Sequence, residues 1–298
     1  NRILSKGIEE ILPSKEKLRE LLTSGKCLNV YQGFDPTAPT LHIGHSVGMR
    51  KLEDFRKLGH QVYFVIGDFT ARIGDPTDKT STRVKLTKQQ VEENMKLYVE
   101  QASHYIDIFN KENPVKVVYN SKWLEPLNFE DIVELSSIFT VQQMIKRSMF
   151  QERLKSDKPI YLHEFLYPLM QGYDSVALNI DVEVGGNDQL FNMLAGRDMV
   201  MNKLKKEKFV LSMQLLETNN GSKMGKTSGN MIELNDSANN MFGKVMSFDD
   251  KLISIGFEIL TDYDQEQTEE ISKRLKEGEN PMILKKLLAF EITKDIKG

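Results

Sequence analysis

Much of what this sequence could have been is excluded by what it has little of. One cysteine, Cys27, stands in 298 residues, which excludes an internal disulfide framework and fits a reducing compartment. No stretch approaches the roughly 18 consecutive apolar residues of a membrane-spanning helix. The opening residues NRILSKGIEEILPSKEK contain no apolar signal-peptide core. Excess positive charge is missing too: the net charge is −3 and the pI about 6.1. A nucleic-acid partner would therefore be held by local patches, not by the overall field. No internal repeat or low-complexity segment is present. A soluble, cytoplasmic protein without membrane association is expected, and its length suits about two domains.

What is there is a change of hydrophobic period, repeated along the chain. Apolar runs at 27–31 (CLNVY), 61–66 (QVYFVI), 115–119 (VKVVY), 182–184 and 209–216 read as buried strands. Helical periodicity covers about 14–25, a stretch from 43, then 87–109, 128–155, 161–178 and 188–204. Ser14 suits an N-cap and Gly25 a C′ position. From about 232 the pattern is helical only. Strands alternating with helices predict an α/β fold, a parallel sheet with helices on both faces. Ligands of such sheets sit beyond the carboxyl ends of the strands.

Four stretches fall in that position or face it. YQGFDPTAPTLHIGH, 31–45, leaves a strand and opens a helix, with His42 and His45 at its mouth. A helix N-terminus favours an anion, and imidazoles add donors for phosphate or ribose. A plain strand-to-helix turn with two surface histidines fits the four letters equally. On 161–179, Leu162, Leu166, Leu169 and Tyr173 form an apolar stripe, while Tyr167, Gln171 and Asp174 form a polar one at i, i+4 and i+7. Exposed faces in this chain are normally Lys and Glu, as in KLKKEK at 203–208, so a lysine-free stripe of Tyr, Gln and Asp suits the lining of a polar pocket better than a wet face. VGGNDQ, 184–189, combines glycines that admit close approach with Asp188 and Gln189, but is also ordinary turn chemistry. NNGSKMGKTSGN, 219–230, carries Lys223 and Lys226 among glycines, which suits shifting phosphate charge and equally a solvated loop.

Taken together, YQGFDPTAPTLHIGH, YPLMQGYD, GGNDQ and KMGKT resemble, in order and separation, the class I tyrosyl-tRNA synthetases of the bacterial type. The resemblance covers about 8–298. It implies a Rossmann-like catalytic domain over 1–231, with a helical dimerisation insert at about 120–165, and an all-helical segment over 232–298. That segment is expected to begin an anticodon-side region which continues in the family into a small basic RNA-binding domain. The implied reaction joins L-tyrosine to ATP, accompanied by Mg²⁺, and passes the tyrosyl group to tRNA(Tyr) in a homodimer. No all-protein metal cage is visible in the sequence.

The roles that the resemblance implies are these. Tyr31 and Asp174 would bind the phenolic hydroxyl. Tyr167, Gln171 and Asp75, with Thr70 beside them, would hold the α-ammonium, and Gln189 would lie near the carboxylate. Gly33, Asp35, Gly44, Gly186, Asp188 and Thr227 would meet the nucleotide, Asp188 at its ribose. Thr37, His42, His45, Lys79, Arg83, Lys223 and Lys226 would serve the phosphates and the catalytic charge. Gln32, Asn187 and Leu190 depart from the family's usual cysteine, serine and tryptophan. Rival readings are a smaller nucleotidyltransferase, a tryptophan-specific relative, and an RNA-binding paralogue that has lost catalysis. Intact signature histidines and lysines speak against the last.

Overall fold

The computed structural model describes residues 2–76, 85–216 and 231–298. Strand β1 (Ile8–Leu12) precedes α1 (Lys15–Thr23), β2 (Asn29–Phe34), α2 (Ile43–Lys57), β3 (Gln61–Ile66) and α3 (Thr70–Ile73). The chain continues through α4 (Lys88–Asn94), α5 (Tyr98–Ala102), β4 (Lys116–Tyr119), α6 (Ser121–Leu124), α7 (Phe129–Ser136), α8 (Val141–Met144) and α9 (Ser148–Lys155). Then follow α10 (Leu162–Ala177), β5 (Val182–Gly186), α11 (Leu190–Leu204), β6 (Phe209–Met213), and four helices: α12 (Ala238–Met246), α13 (Leu252–Leu260), α14 (Gln265–Lys276) and α15 (Pro281–Lys297).

Local chemistry sets several boundaries as expected. The Ser14 hydroxyl accepts from the Lys17 N–H at 3.2 Å and caps α1, and Gly25 takes a left-handed φ of +77° beyond its end. The 87–109 stretch is instead broken into α4, a 3₁₀ turn at Met95–Leu97, and α5. Its side chains serve the 36–41 loop: Asn94 Nδ2 donates to the Pro36 carbonyl, the Tyr98 hydroxyl to that of Ala38, and Gln101 Oε1 accepts from the Leu41 N–H. Tertiary bonds to an irregular loop, not helix propensity, shape this segment.

The six strands form one sheet in the order β1-β6-β5-β2-β3-β4. Five strands are parallel, as alternation with helices predicted. β1 was not foreseen: it joins the edge antiparallel to β6, with a register shift between Ile8 and Glu10. β2 and β5 pair directly, yet the chain leaves β2 toward β3 and β5 toward β6. This is the point where strand order reverses, and beyond its carboxyl ends a ligand crevice opens.

Helices 12–15 share one continuous apolar core with the sheet and α2, through Leu18, Leu52, Phe64, Met241, Phe257, Leu288 and their neighbours. A polar junction fastens this packing. The Lys51 ammonium on α2 donates to the carbonyls of Arg2 and Ile3, and Lys6 to those of Thr261 and Tyr263. Arg50 reaches the Leu260 carbonyl and pairs with Asp262 and Asp295. Burial lowers the Lys6 and Lys51 ammonium groups to about 8, while the carbonyls satisfy their protons.

Helix 10, which carries the polar stripe, is anchored at its start by a buried ion pair. Both Arg153 terminal nitrogens donate to Glu164, at 2.9 and 2.5 Å, and Glu164 also accepts from the Tyr161 N–H. Burial pushes the Glu164 carboxyl up, but Arg153 and the Tyr161 N–H more than reverse this and hold it below its ordinary 4.5. A group depressed in the folded state stabilises above its unfolded value and loses that contribution as pH falls through the folded one. Glu164→Gln should cost about 3–5 kcal/mol at pH 7, because it leaves the guanidinium buried without a counter-charge. Urea unfolding should show the gap from the parent closing below pH 4.5.

Candidate active site

Helix 2 begins at the crevice. Its N-cap, His42, and His45 in its first turn stack with ring centroids 3.8 Å apart. The His42 N–H donates to His45 Nδ1 at 3.0 Å. That bond fixes the tautomer: Nδ1 accepts, so in neutral His45 the Nε2 carries the proton and is a donor for an anionic oxygen. Gly44 is exposed in the same turn, and Thr37, with its N–H on the Asp35 carbonyl, lies half-buried in the preceding loop. His42 forms an isolated antiparallel bridge with Glu233. The Ile43 N–H donates to the Ile232 carbonyl and the Leu234 N–H to that of Leu41, each at 2.9 Å. Residues 232–234 are thus joined to the mouth of α2.

Below this mouth the polar stripe of α10 is buried more deeply than its apolar neighbour. Tyr167 and Asp174 are 6% and 3% exposed, whereas Leu162 is 83% exposed. Asp35, beyond the end of β2, accepts from the Thr70 hydroxyl at 2.6 Å and the Tyr167 hydroxyl at 2.8 Å. Only glycine fits at 67, since a Cβ there would stand 2.0 Å from Asp35 Oδ1. Asn120 donates to Thr70 and, at 3.4 Å, to Asp174 Oδ2. Trp123 Nε1 donates to Asp174 Oδ1 at 2.7 Å. Burial raises the Asp174 carboxyl well above its ordinary range, and these two donors offset that only in part. Burial, with Asp35 and Asp75 nearby, also raises the Tyr167 hydroxyl.

Asp75 is the anchor of a second cluster, accepting from Arg147, Gln189 and Asn192 at 3.2, 2.9 and 3.3 Å. A third cluster surrounds Tyr31, which is fully buried. Its hydroxyl donates to Glu183 at 2.7 Å, where Gln171 Nε2 also donates at 3.0 Å.

The expected residues within the described part of the chain thus fall in three neighbouring clusters. Tyr167 donates to Asp35 and Gln171 to Glu183, while Asp75 accepts from Arg147. Gly33 lies exposed in β2, and Gly186 closes β5 before the 3₁₀ turn Asn187–Gln189 that holds Asp188. Lys79, Arg83, Lys223, Lys226 and Thr227 lie outside the described residues. Asn120, Trp123, Arg147, Glu183 and Lys208 were missed by sequence reasoning. Glu183 did carry a signal, a lone acid inside the apolar run VEVGG. Lys208 was misread: it ends the supposedly solvated KLKKEK, yet it is fully buried on Glu183.

A doubly wound sheet with paired histidines on a helix mouth at its switch point is the arrangement expected of a class I aminoacyl-tRNA synthetase. Residues 23–298 match the family described as tRNA synthetases class I (W and Y), and the chain belongs to that family. It is 45% identical to the tyrosine–tRNA ligase of Carboxydothermus hydrogenoformans over 97% of its length and 71% of the relative's. Against the Aquifex aeolicus tyrosine–tRNA ligase the figures are 44%, 98% and 73%. Among solved structures, the tyrosyl-tRNA synthetase of Archaeoglobus fulgidus, complexed with L-tyrosine, shares the fold. Its TM-score is 0.78 at 20% identity, over 99% of this chain and 96% of that one.

The Asp35 cluster gives a measurable consequence. Tyr167→Phe removes a hydroxyl from a carboxylate, and such bonds contribute roughly 1.5–3 kcal/mol. Thermal and urea unfolding should both register a loss of that size, and an unchanged midpoint would show that Asp35 does not depend on Tyr167.

Proposed function

We infer that the chain is a tyrosine–tRNA ligase: it activates L-tyrosine with ATP to tyrosyl-adenylate and pyrophosphate, then transfers the tyrosyl group to tRNA(Tyr). The observation that carries the tyrosine reading is a pair of polar groups buried at the inner end of the crevice. Tyr31 and Asp174 are 0% and 3% exposed, an expensive arrangement for a pocket that receives an apolar side chain. A tryptophan-specific relative would have no use for it on the phenol side.

In this reading the phenol meets Tyr31 and Asp174. The α-ammonium lies among Tyr167, Gln171 and Asp75, with Thr70 fixing Asp35 beside them, and Gln189 addresses the carboxylate. That carboxylate attacks the α-phosphorus of ATP; a P–O bond forms and the bond to pyrophosphate breaks. The His45 Nε2–H, His42, Thr37 and the first turn of α2 at Gly44 stabilise the charge that moves onto phosphate oxygens. Gly33, Asp35, Gly186 and Asp188 face the nucleoside. A terminal ribose hydroxyl of the tRNA then attacks the carbonyl carbon, and AMP leaves. Both nucleophiles belong to substrates, so positioning supplies most of the catalysis. Mg²⁺ enters with ATP as part of the substrate; among the described residues no cluster of three metal-ligating side chains forms a resident site.

Several features support the remaining assignments. Phe129, Val133, Val141, Leu154 and Leu162 are exposed between 129 and 162, the kind of apolar concentration that a second copy of the chain would cover, and it falls within the proposed 120–165 dimerisation region. Among the described residues no helix is long and apolar enough to cross a membrane; the cytoplasmic place proposed here follows from the tRNA substrate.

Tyrosine-dependent ATP–pyrophosphate exchange tests the whole reading, and its absence in the folded protein would overturn it. Lys223→Ala and Lys226→Ala should each slow that exchange by roughly 10²–10³ while tyrosine binding, followed by fluorescence, changes little. Asp174→Ala should erode the preference for tyrosine over phenylalanine, since phenylalanine's penalty is an unpaired buried group of about 1–3 kcal/mol. Unchanged selectivity would remove Asp174 from the phenol contact.

A further inference from the structure

Behind Tyr31 lies a closed ring of hydrogen bonds with two buried charges in it. Tyr31 and Glu183 are register partners on the parallel strands β2 and β5, so their side chains leave the same face of the sheet side by side. Lys208 precedes β6 and is 0% exposed. Its three protons are all placed: on Glu183 Oε2, on the Ser175 hydroxyl at 2.9 Å, and on the Met193 carbonyl at 3.2 Å. Glycine at 196 makes room for the ammonium, because a Cβ there would stand 2.5 Å from Lys208 Nζ.

Counting donors around the ring fixes the polarity of Tyr31. An ammonium has only donors, so Ser175 Oγ must accept from Lys208, and its own proton has the Tyr31 oxygen at 3.2 Å as its nearer acceptor and Glu183 Oε2 at 3.5 Å as the farther one. Glu183, ionised against Lys208, can only accept. The Tyr31 proton therefore goes to Glu183 Oε1 at 2.7 Å, with the Gln171 carbonyl at 3.3 Å in the same direction. Tyr31 has given its one proton and received one from Ser175, so what it retains is a lone pair.

We propose that the Lys208–Glu183 pair, linked through Ser175, sets the hydrogen-bond polarity of the phenol reader, holding Tyr31 as an acceptor that recognises the O–H of tyrosine. Glu183 and Lys208 are positioning residues, since they act on the substrate through Tyr31. The proposal rests on the reading of Tyr31 as a phenol contact. Phenylalanine is refused because it brings no donor, and a para substituent that only accepts would be refused for the same reason. A buried ion pair is weak as a stabilising device but strong as an orienting one, because an ammonium that only donates and a carboxylate that only accepts constrain the hydroxyls between them.

Glu183→Gln tests this without changing shape. With Lys208 in place, the new amide turns its oxygen to the ammonium and its NH₂ to Tyr31, which then accepts there and gives its proton to the substrate or to the Gln171 carbonyl 3.3 Å away; in both cases the lone pair that met the substrate O–H is taken. In pyrophosphate exchange the KM for tyrosine should rise about tenfold, with kcat and the KM for ATP unchanged. 4-Fluorophenylalanine, an acceptor at the para position, should gain relative to phenylalanine. Adding Lys208→Met frees the amide to turn its oxygen back to Tyr31, so the double variant should recover much of the loss. Pure packing damage would instead make the double variant worse and raise both analogues together, and either result overturns the proposal, as would an unchanged tyrosine KM in Glu183→Gln. Tyr31→Phe separates the two layers: if it leaves tyrosine KM and selectivity untouched, the phenol contact itself is wrong, and the polarity proposal falls with it.

Discussion

Two neighbouring parallel strands whose chains depart in opposite directions are the constraint on which the rest depends. A connection that leaves β2 for β3 cannot cover the gap beside β5, and one that leaves β5 for β6 cannot either. The loops after β2, β3 and β5 border that gap. They contribute Asp35, Thr70, Asp75, Asp188 and Gln189, residues far apart in sequence that meet because backbone pairing leaves them nowhere else to go. Helix 10 then lies against the opening and lends its polar stripe, and α2 brings its N-terminus and histidines.

A crevice of this kind gathers groups that the interior would otherwise reject. Burial first, and the nearness of Asp35, Asp75, Asp174 and Glu183 after it, raise the Tyr31 and Tyr167 hydroxyls and the Asp174 carboxyl. Each carboxylate is answered by its own set of donors. Asp35 has hydroxyls, Asp174 an indole and an amide, Asp75 a guanidinium and two amides, and Glu183 an ammonium, a phenol and an amide. That division keeps acids of like charge from competing for shared partners. It also leaves the pocket wall stiff, because rotating one side chain would strand another.

Legibility in the sequence followed the range of the interactions. Ser14, Gly25 and the strand-helix alternation depend on neighbours a few residues away, and each was readable. The polar stripe on α10 was readable because helical spacing is local, and the signature motifs because they resemble a family. β1 was not, since its register shift and two exposed glutamates erase the alternation that marks a strand. Lys208 was not, because its partner sits 25 residues earlier on another strand, and a lysine in a basic run ordinarily faces water. Arg147 lies 72 residues from Asp75 in a stretch whose periodicity says only that it is helical. Burial of charge is a property of the assembled fold, and outside an apolar run such as the one around Glu183 the sequence carries no local mark of it.

The junction at Arg50 and Lys51 gives α2 a mechanical character. Fifteen residues make a rod about 22 Å long, with two imidazoles at its tip and its flank bolted to residues 2–6, 260–263 and 295. A rod held along its side by ammonium and guanidinium groups turns only with whatever it is bolted to. The C-terminal helices cannot shift against α2 without breaking those bonds, so the placement of His42 and His45 is tied to theirs.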